Sequence, residues 1–499
     1  MTIIFQKLLS YKTHFPTVPP VNFLSRRMER FHWFIKKAGI QYKQHQYDGV
    51  QWCLQNELSK SKAEGTVGKV RGGIIADEMG LGKTITAIGL MLTNFMTKTL
   101  IVLPNVLIAQ WVSEIQRTTG HKPLVFYGAE KKMITLEQLS SAPIVITSYS
   151  HISVSALKVD DPPKSMLHMV QWNRVIFDEA HHLRNKNARY WGAKVLVSPI
   201  KWLITGTPVQ NKRRDFYNLC SVVGLPSSYY TDPDNLEELL DAYVLRRTKS
   251  QAGIKLPNIE LGCNTVDWAT EDERVLSEDI HNAIRLADSV ERLKLIIKAR
   301  QTCILPALLK NSLTDLVDDN IIPKSESHVG ALASSSKLDA VLDTLLSRRE
   351  NGNGKLIFCH FREEIDMIVS RLKEAGITSL ATFDGRTSLN KRAGILREKV
   401  EFLVLQIQTG CEGLNLQKDF SEVYFVSPNW NPAIEEQAIA RCHRIGQVKP
   451  VHVFRFQMTT YQKFEPLVEE TESTIAPSLD QYIQNVQSVK REIIEDLLF

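Results

Sequence analysis

The stretch that decides the fold reads Gly72-Gly73-Ile74-Ile75-Ala76-Asp77-Glu78-Met79-Gly80-Leu81-Gly82-Lys83-Thr84. An apolar run leads into a glycine-containing loop, and the loop leads into a helical stretch. Backbone N–H groups of such a loop, with the helix N-terminus, can surround phosphate oxygens. The pattern predicts that Lys83 contacts the β- and γ-phosphates and that Thr84 places its hydroxyl on Mg²⁺. The usual pattern has glycine five residues before Gly82, where this chain has Asp77, so these residues alone leave a chance match open.

A second signal lies about 95 residues further on, where Val175-Ile176-Phe177-Asp178-Glu179-Ala180-His181 ends an apolar strand in two carboxylates. Asp178 at a strand end is suited to hold Mg²⁺, directly or through water. Glu179 can accept a proton from an attacking water. A solvated turn is the alternative for an Asp-Glu pair, and the buried strand before it argues against that alternative. We expect His181 to be a hydrogen-bonding group, because nothing near it supplies a second metal ligand.

Three polar side chains near the other end of the chain stand four and three residues apart: Gln437, Arg441 and Arg444. This spacing predicts one helix face. Guanidinium groups brought to a transferring phosphoryl group can stabilise its charge. Taken alone, the segment would be a surface helix with ion pairs. Together with the phosphate-binding loop and the acidic strand end, it indicates a nucleoside triphosphatase.

Short apolar runs alternate with helical stretches along most of the chain. Their apolar character is continuous, which predicts strands buried on both faces of parallel sheets. The candidates in a first series are 73–76, 99–103, 143–147, 175–177 and 202–204. Those in a second series are 355–359, 379–382, 401–405, 422–426 and 451–454.

The segment 226–333 between the two series has a different pattern. Apolar residues recur at helical spacing over 272–298, and 311–336 is polar and predicts a loop or linker. Near the end of the chain, Ser478 stands at an N-cap position before an amphipathic helical pattern that runs to Leu497. Such a helix packs on its own protein or binds a partner.

Bulk composition narrows the class of protein. The chain has 499 residues, 43% of them apolar, which suits two or three globular domains. Its net charge of +6 is compatible with a phosphate-backbone partner without requiring one.

Seven widely spaced cysteines without a C-x-x-C pair indicate a reduced compartment and no zinc module. We expect neither a membrane span nor a secretory signal. One basic cluster could be a solvated helix face, an import signal or a phosphate contact: Arg26, Arg27, Arg30, Lys36 and Lys37.

From about Tyr42 to the C-terminus, these residues resemble the Swi/Snf-type ATPases of helicase superfamily two. The loop at 77–84 resembles that family's own phosphate-binding loop, which accounts for Asp77. Gln46 matches an upstream glutamine that recognises adenine in the family. Further matches lie at 203–211, 245–249, 335–338, 382–387, 413–416, 430–432 and 443–447.

The chain departs from the family pattern at three positions. Cys411 replaces a usual glycine, and Ala440 stands where aspartate is frequent. Leu305 replaces histidine in 300–306, which otherwise resembles the branch that contains the helicase-like transcription factor. Because 308–336 has no cysteine, we predict none of the zinc RING modules that this branch often carries there.

The resemblance implies an α/β fold with two RecA-like parallel-sheet lobes in tandem. We predict an N-terminal extension at 1–40 and a first, ATP-binding lobe at 41–225. Helical protrusions and a linker follow at 226–333, then a second lobe at 334–465. The last part, 466–499, is predicted to be a helix that packs back on the motor.

Motifs and resemblance together assign roles to individual residues. Catalysis is assigned to Lys83, Glu179, Arg441 and Arg444. Nucleotide binding is assigned to Gln46, Asp77, Glu78, Met79, Gly80, Leu81, Gly82, Lys83, Thr84, Gly413 and Gln437. Mg²⁺ binding is assigned to Thr84 and Asp178. DNA contact or its coupling to hydrolysis is assigned to Tyr149, Thr205, Thr207 and Trp430. Trp430 could equally be a packing residue beside Pro432.

The implied activity is a DNA-dependent ATPase that uses ATP and Mg²⁺. It would translocate on double-stranded DNA through the phosphate backbone, without strand separation, and remodel an unknown DNA-bound protein. We expect a monomeric motor or a subunit of a larger complex, in the nucleus or another DNA-containing compartment, not secreted. Three alternatives remain: a strand-separating helicase on DNA or RNA, a non-catalytic DNA-binding scaffold, and an ATPase acting on protein.

Overall fold

The chain folds into two compact units. A computed structural model describes residues 20–58, 70–156, 165–395, 397–410, 414–461 and 477–498. Unit 1 comprises Met1–Lys255 together with Ile493–Phe499, and unit 2 comprises Leu256–Glu492. Each unit is built around one parallel sheet with helices on both faces. The predicted class, α/β with two parallel sheets, is confirmed.

Unit 1 contains a seven-stranded sheet in the order β3-β4-β2-β5-β6-β1-β7, with every pair parallel. Its strands are β1 Arg71–Ile75, β2 Thr99–Leu103, β3 Leu124–Phe126, β4 Ile144–Ser148, β5 Arg174–Asp178, β6 Ile200–Ile204 and β7 Val244–Leu245. Its helices are α1 Pro20–Lys37, α2 Gln44–Leu58, α3 Lys83–Thr93, α4 Ile108–Thr119, α5 Leu136–Ser141, α6 Tyr149–Ile152, α7 Met166–Met169, α8 Ala188–Val195, α9 Arg213–Val223, α10 Ser227–Tyr230 and α11 Leu236–Tyr243.

The sheet of unit 1 is buried on both faces, as its uninterrupted apolar strands require. In β2, Leu100 and Val102 join one hydrophobic cluster, and the alternate residues Ile101 and Leu103 join another on the opposite face. Gly72 in β1 has φ of 105°, and a Cβ there would overlap the Lys201 carbonyl of β6. Glycine therefore allows β1, which leads into the phosphate-binding loop, to lie close against its neighbour.

A largely buried polar network ties the helices of unit 1 to its sheet and leaves one nitrogen of Arg174, Nη1, without a partner among the described residues. Arg174 of β5 forms a bidentate pair with Glu57 of α2, with N–O distances of 2.6 and 2.5 Å. Trp202 donates to the same carboxylate at 2.8 Å, and Asn94 donates to it at 2.5 Å. Arg27 of α1 in turn donates to the Asn94 side chain. Such a charge pair is stable in a core only when its hydrogen bonds are satisfied.

The predicted N-terminal extension partly belongs to the core of unit 1. Residues 1–19 lie outside the described residues, but α1 buries Met28, Phe31, Phe34 and Ile35 in a unit 1 hydrophobic cluster. Within the basic cluster of this helix, Arg26, Lys36 and Lys37 are exposed.

Unit 2 contains a six-stranded parallel sheet in the order β10-β11-β9-β12-β13-β8. Its strands are β8 Ile259–Val266, β9 Gly354–Cys359, β10 Leu380–Phe383, β11 Phe402–Gln406, β12 Phe420–Phe425 and β13 Val451–Met458. Its helices are α12 Glu271–Leu286, α13 Ser289–Ile304, α14 Leu313–Asp318, α15 Glu326–Ala331, α16 Ser336–Ser347, α17 Arg362–Glu374, α18 Leu389–Ile395, α19 Ile407–Gly410, α20 Pro432–Ile439 and α21 Leu479–Leu498, whose last residues are grouped with unit 1.

The middle segment differs from the separate helical insertion expected at 226–333. Strand β8 lies inside it and pairs along eight residues with β13 of the second sheet. The stretch 311–336, expected to be a loop, includes the short helices α14 and α15, and Leu313 and Leu316 of α14 are buried in the core of unit 2. The helical prediction over 272–298 corresponds to α12 and α13, which a break at Ala287 and Asp288 separates.

The C-terminal helix begins where its N-cap residue predicted. Ser478 N–H donates to the Gln481 side chain at 3.1 Å, and Gln481 N–H donates to the Ser478 hydroxyl at 3.5 Å, which forms a capping box. Asp480 pairs with Lys337 in the core of unit 2, and both side chains are fully buried. Within the described parts of the chain, no helix combines the length and the apolarity that a membrane crossing requires.

Candidate functional site

The phosphate-binding loop connects β1 to α3. Gly82 stands at the N-cap of α3 with φ of 85°, a left-handed conformation that favours glycine. The Lys83 ammonium donates to the Asp77 carbonyl at 2.8 Å and lies 3.4 Å from the Glu78 carbonyl. Lys83 thus spans the loop, and the first N–H groups of α3 point out of the helix end where phosphate oxygens can accept from them.

The two carboxylates of this loop are bound by a segment 170 residues further along the chain. Arg247 forms a bidentate pair with the buried Asp77, with N–O distances of 3.0 and 2.6 Å. Lys249 pairs with Glu78 at 2.8 Å, and its backbone N–H donates to the same carboxylate at 2.7 Å. Asp77 and Glu78 were predicted to bind nucleotide, yet in this structure their carboxylates fix the loop to the segment that follows β7.

Gln46 on α2 lies against the phosphate-binding loop. Its amide nitrogen is 3.3 Å from the Leu81 carbonyl, to which the His45 imidazole also donates at 2.9 Å. A Cβ at Gly82 would overlap the Gln46 amide nitrogen, so glycine allows this close approach. The Gln46 Oε1 atom is buried and has no hydrogen-bond partner within the described residues. A buried acceptor without a donor is costly, which makes it a candidate to receive a hydrogen bond from a ligand.

Asp178 lies at the carboxyl end of β5. One of its oxygens accepts from the Trp111 indole N–H at 2.7 Å, and the other accepts from the Glu179 N–H at 3.0 Å. Burial and the neighbouring Glu179 raise the pKa of Asp178 to about 7, against the opposing effects of the Trp111 hydrogen bond and of Lys83. Ile204 of β6 pairs with Asp178 on one side and with Ile75 of β1 on the other, so the acidic strand end and the start of the phosphate-binding loop are level with each other in the sheet.

Glu179 follows directly in the left-handed conformation, with φ of 50°, which is rare for a residue other than glycine. Its carboxylate lies 3.3 Å from the His181 imidazole. Tyr149 is buried behind the pair, and its hydroxyl donates to the Asp178 carbonyl at 2.7 Å. Tyr149 was predicted to contact DNA or to couple that contact to hydrolysis; its observed contact supports the acidic strand end.

The loop after β6 also lies beside the phosphate-binding loop. Thr205 N–H donates to the Ile75 carbonyl at 3.0 Å, and the Thr205 hydroxyl accepts from the Thr207 N–H at 3.1 Å. A Cβ at Gly206 would lie 2.8 Å from Met79 and 3.4 Å from the Lys83 ammonium. Both threonines, predicted to couple hydrolysis to DNA contact, are buried and brace this loop.

In unit 2 the predicted single helix face is wrong, because α20 ends at Ile439, where the chain continues in turns. Gln437 is on the helix and buried, while Arg441 and Arg444 follow in what we call the arginine turn, residues 440–446. Arg444 donates to the Asn415 side chain, and burial together with the neighbouring Arg441 lowers the pKa of Arg444 to about 10. The Arg441 Nε atom is buried. Neither the Arg441 nor the Arg444 guanidinium pairs with a carboxylate among the described residues.

The remaining positions singled out in the sequence fall into two groups: Gly413 and Cys411, and then Trp430. Gly413, assigned to nucleotide binding, and Cys411, a departure from the family pattern, lie outside the described residues. Trp430 is half-buried against the core of unit 2, with its ring edge toward Tyr482 at a centroid distance of 6.1 Å. This is the packing that the alternative interpretation of Trp430 expected.

Sequence reasoning missed three residues that shape this site: Trp111, Arg247 and Lys249. The segment 245–249 had been noted only as a family match, without a contact. No local pattern assigns its partners, because each ion pair joins positions that are distant in sequence. The charges offered the one available signal, since two adjacent carboxylates directly after a buried strand favour cationic partners.

Comparison with known proteins gives the family. A model of the SNF2-related domain matches residues 45–233, and a model of the helicase conserved C-terminal domain matches residues 336–446. Together they match more than half of the chain. The chain belongs to the Swi/Snf family. This identification confirms the resemblance seen in the sequence motifs.

Individual Swi/Snf relatives are similar at a distance. "ATP-dependent DNA helicase DDM1" of Arabidopsis thaliana is 27% identical over 86% of this chain and 60% of its own length. "Probable global transactivator" of Orgyia pseudotsugata multicapsid polyhedrosis virus is 25% identical over 83% of this chain and 85% of its own length. The chain thus spans less than two thirds of the plant relative.

A solved structure, "Sulfolobus solfataricus SWI2/SNF2 ATPase core in complex with dsDNA", is 23% identical, with 92% of this chain and 96% of that chain covered. The TM-score is 0.38. That score is low, and the Swi/Snf assignment rests on the family models and the sequence relatives.

Proposed function

We propose that this chain is a DNA-dependent ATPase that translocates on double-stranded DNA and remodels protein–DNA complexes. The observation that carries the proposal is in unit 1. A phosphate-binding loop with Lys83 and a strand end with Asp178 and Glu179 lie at the same edge of one parallel sheet, where only β6 separates their strands. Ligands of open α/β sheets bind at the carboxyl ends of the strands.

The residues of this edge fit ATP and Mg²⁺. We assign the β- and γ-phosphates to Lys83 and the N–H groups at the start of α3. We assign adenine to Gln46, whose buried Oε1 has no donor in the described part of the chain. Thr84 and Asp178 would hold Mg²⁺, which neutralises charge on phosphate oxygens. A divalent cation would also offset the burial that raises the pKa of Asp178.

Glu179 is the proposed general base. Its position next to Asp178 suits it to orient the attacking water and to accept its proton as the water oxygen bonds to the γ-phosphorus and the bond from that phosphorus to the β–γ bridging oxygen breaks, which releases ADP. We assign stabilisation of charge on the transferring phosphoryl group to Arg441 and Arg444. Because each of these steps depends on a different residue, single variants can separate them.

The proposed partner is duplex DNA, held mainly through its phosphate backbone. Membership of the Swi/Snf family and the net charge of +6 support this partner. Swi/Snf relatives are named DNA helicases and chromodomain-helicase-DNA-binding proteins. We propose that hydrolysis by this chain likewise depends on DNA. A DNA-containing compartment such as the nucleus follows from the same proposal.

The test is the steady-state ATPase rate with no nucleic acid, duplex DNA, single-stranded DNA or RNA. We expect duplex DNA to stimulate hydrolysis and Glu179→Gln to lower kcat at least about 100-fold, the usual contribution of a general base. Glu137→Gln, an exposed carboxylate of the same unit, serves as the control and should be unaffected. Translocation is measured by displacement of a third strand from a DNA triplex.

Two outcomes would overturn the proposal. Stimulation by single strands or RNA alone, with unwinding of a forked duplex, would establish a strand-separating helicase. No hydrolysis with any nucleic acid, from a protein that still binds duplex DNA, would establish a DNA-binding scaffold.

A further inference from the structure

The turn between β12 and α20 is held in place by its backbone carbonyls. Three consecutive carbonyl oxygens each accept a hydrogen bond from a side chain of a distant helix. Arg300 of α13 donates to Pro428, Gln487 of α21 donates to Asn429, and Lys490 of α21 donates to Trp430 at 2.6 Å. Carbonyl groups of a connecting segment ordinarily bond to water or to nearby backbone. In this turn they bond instead to side chains of the surrounding helices, which hold the turn in place.

The same turn is tied to the first residues of α20 through Glu435. This carboxylate is fully buried; its Oε1 atom accepts from the Asn429 N–H and from Gln487 Nε2, both at 2.8 Å. Its Oε2 atom accepts from Arg455 of β13 at 2.9 Å. Gln487 therefore bridges the turn and the helix that follows it with a single amide group.

A neutral histidine completes the support behind the turn. Burial and the charges of Arg300 and Lys337 keep the pKa of His360 well below its usual range. Its Nε2 atom lies 2.6 Å from the Arg300 guanidinium and can only accept there, so the ring proton is on Nδ1, 3.4 Å from the Ser427 hydroxyl.

These contacts extend to the arginine turn along a short path. Helix α20 begins at Pro432, carries Gln437 and ends at Ile439, two residues before Arg441. The arginine turn is joined to that end, since the Arg441 N–H donates to the Ala438 carbonyl at 3.1 Å. A shift at the start of this eight-residue helix would move Arg441 as well, because a helix of two turns is stiff.

We propose that the C-terminal helix α21 positions the arginine turn, and that Gln487 is the positioning residue. The amide of Gln487 fixes the direction in which α20 leaves its turn, and thereby the place of Arg441 and Arg444. This role rests on the proposed function of those arginines. Gln487 itself touches neither nucleotide nor DNA in this assignment.

The experiment compares Gln487→Met with Gln484→Met. Methionine keeps the length and volume of glutamine and removes the amide, which avoids a cavity. Gln484 lies one turn earlier on α21, and its amide contacts only Cys263 Sγ, at 3.8 Å, among the described residues. Thermal unfolding first establishes a temperature at which both variants are folded.

At that temperature we expect Gln487→Met to lower kcat with duplex DNA by roughly 10-fold, since a misplacement of about 1 Å can cost up to 100-fold. The Kd for a fluorescent ATP analogue should stay within about twofold, because the phosphate-binding loop and Gln46, to which most of the contacts with ATP are assigned, are in unit 1. Hydrogen–deuterium exchange should become faster in peptides covering 428–446. Gln484→Met should change none of these quantities.

The exchange measurement decides the proposal independently of activity. Unchanged exchange over 428–446 in Gln487→Met, or equal kcat values for the two variants, would overturn it. If the unaltered protein hydrolysed no ATP, the proposed function would fail, and faster exchange in Gln487→Met would still show that this residue positions the turn.

Discussion

The phosphate-binding loop and the arginine turn differ in whether their charged side chains have partners of opposite charge. In unit 1 the carboxylates of Asp77 and Glu78 are paired with Arg247 and Lys249 of the same unit. In unit 2, Arg441 and Arg444 lie side by side, half-buried, without a carboxylate partner among the described residues. The carboxylates of the first region are thus neutralised by cations of the same unit, whereas the second region has an excess of positive charge.

This contrast separates structural from functional charge. Paired charges hold a backbone in position, and removing one partner leaves a buried charge uncompensated. Adjacent unpaired cations instead raise the free energy of the protein until an anion approaches. Substitution of Asp77, Glu78 or their cationic partners should therefore act mainly through stability, and substitution in the arginine turn mainly through activity.

The largest effect is expected from Arg441→Ala. We expect kcat with duplex DNA to fall about 1,000-fold, the lower end of the contribution of an arginine that stabilises a transferring phosphoryl group. The free energy of unfolding should change by less than about 0.5 kcal/mol, because no ion pair is lost. Arg349→Ala, an exposed arginine of the same unit, is the control. A large loss of stability with little loss of kcat would invert the comparison.

The next effect concerns the loop, where Arg247→Ala removes the partner of a buried carboxylate. We expect the free energy of unfolding of unit 1 to fall by about 3 kcal/mol, measured by denaturant titration. The double variant Asp77→Ala with Arg247→Ala should recover part of that loss, since it leaves no unpaired charge. Equal losses in the single and the double variant would show that the ion pair does not account for the effect.

A smaller effect depends on pH and concerns Asp178. Its pKa of about 7 in the folded protein lies above its ordinary value of 3.8, so between these pH values the folded state holds a proton that the unfolded state has released. Wild-type stability therefore falls as pH rises through this window. Asparagine does not titrate, so Asp178→Asn should gain about 2 kcal/mol relative to wild type between pH 5 and pH 8.

Denaturant titrations at a series of pH values measure this gain. Asp343→Asn, an exposed carboxyl group, is the control and should show no such trend. A stability difference between Asp178→Asn and wild type that does not vary with pH would contradict the raised pKa.

Local patterns were enough to predict most of the two sheets. A strand such as β2, apolar at every position, can only be buried on both faces, and its alternate residues indeed enter two separate clusters. The prediction missed β3 and β7, which have three and two residues, and β8, whose exposed positions interrupt an apolar run. Short or edge strands derive their structure from their neighbours and leave little trace in their own sequence.

The candidate site was predictable only where function requires residues at fixed spacing. The loop at 77–84 and the pair Asp178 and Glu179 were found in this way, and their roles remain predictions. The prediction that one helix carries Gln437, Arg441 and Arg444 was wrong, because spacing alone does not indicate where a helix ends. Trp111, which donates to Asp178 from 67 residues away, depends on tertiary packing that no local pattern contains.

The segment that carries Arg247 and Lys249 has a mechanical consequence. It pairs with both carboxylates of the phosphate-binding loop just before the chain passes into unit 2 at Leu256. Tension applied to the chain beyond Lys255 would load these two ion pairs before it reached β1. The loop that we assign to ATP is thus anchored to one of the two places where the chain passes between the units, so a force on that connection and the binding of phosphate act on the same few bonds.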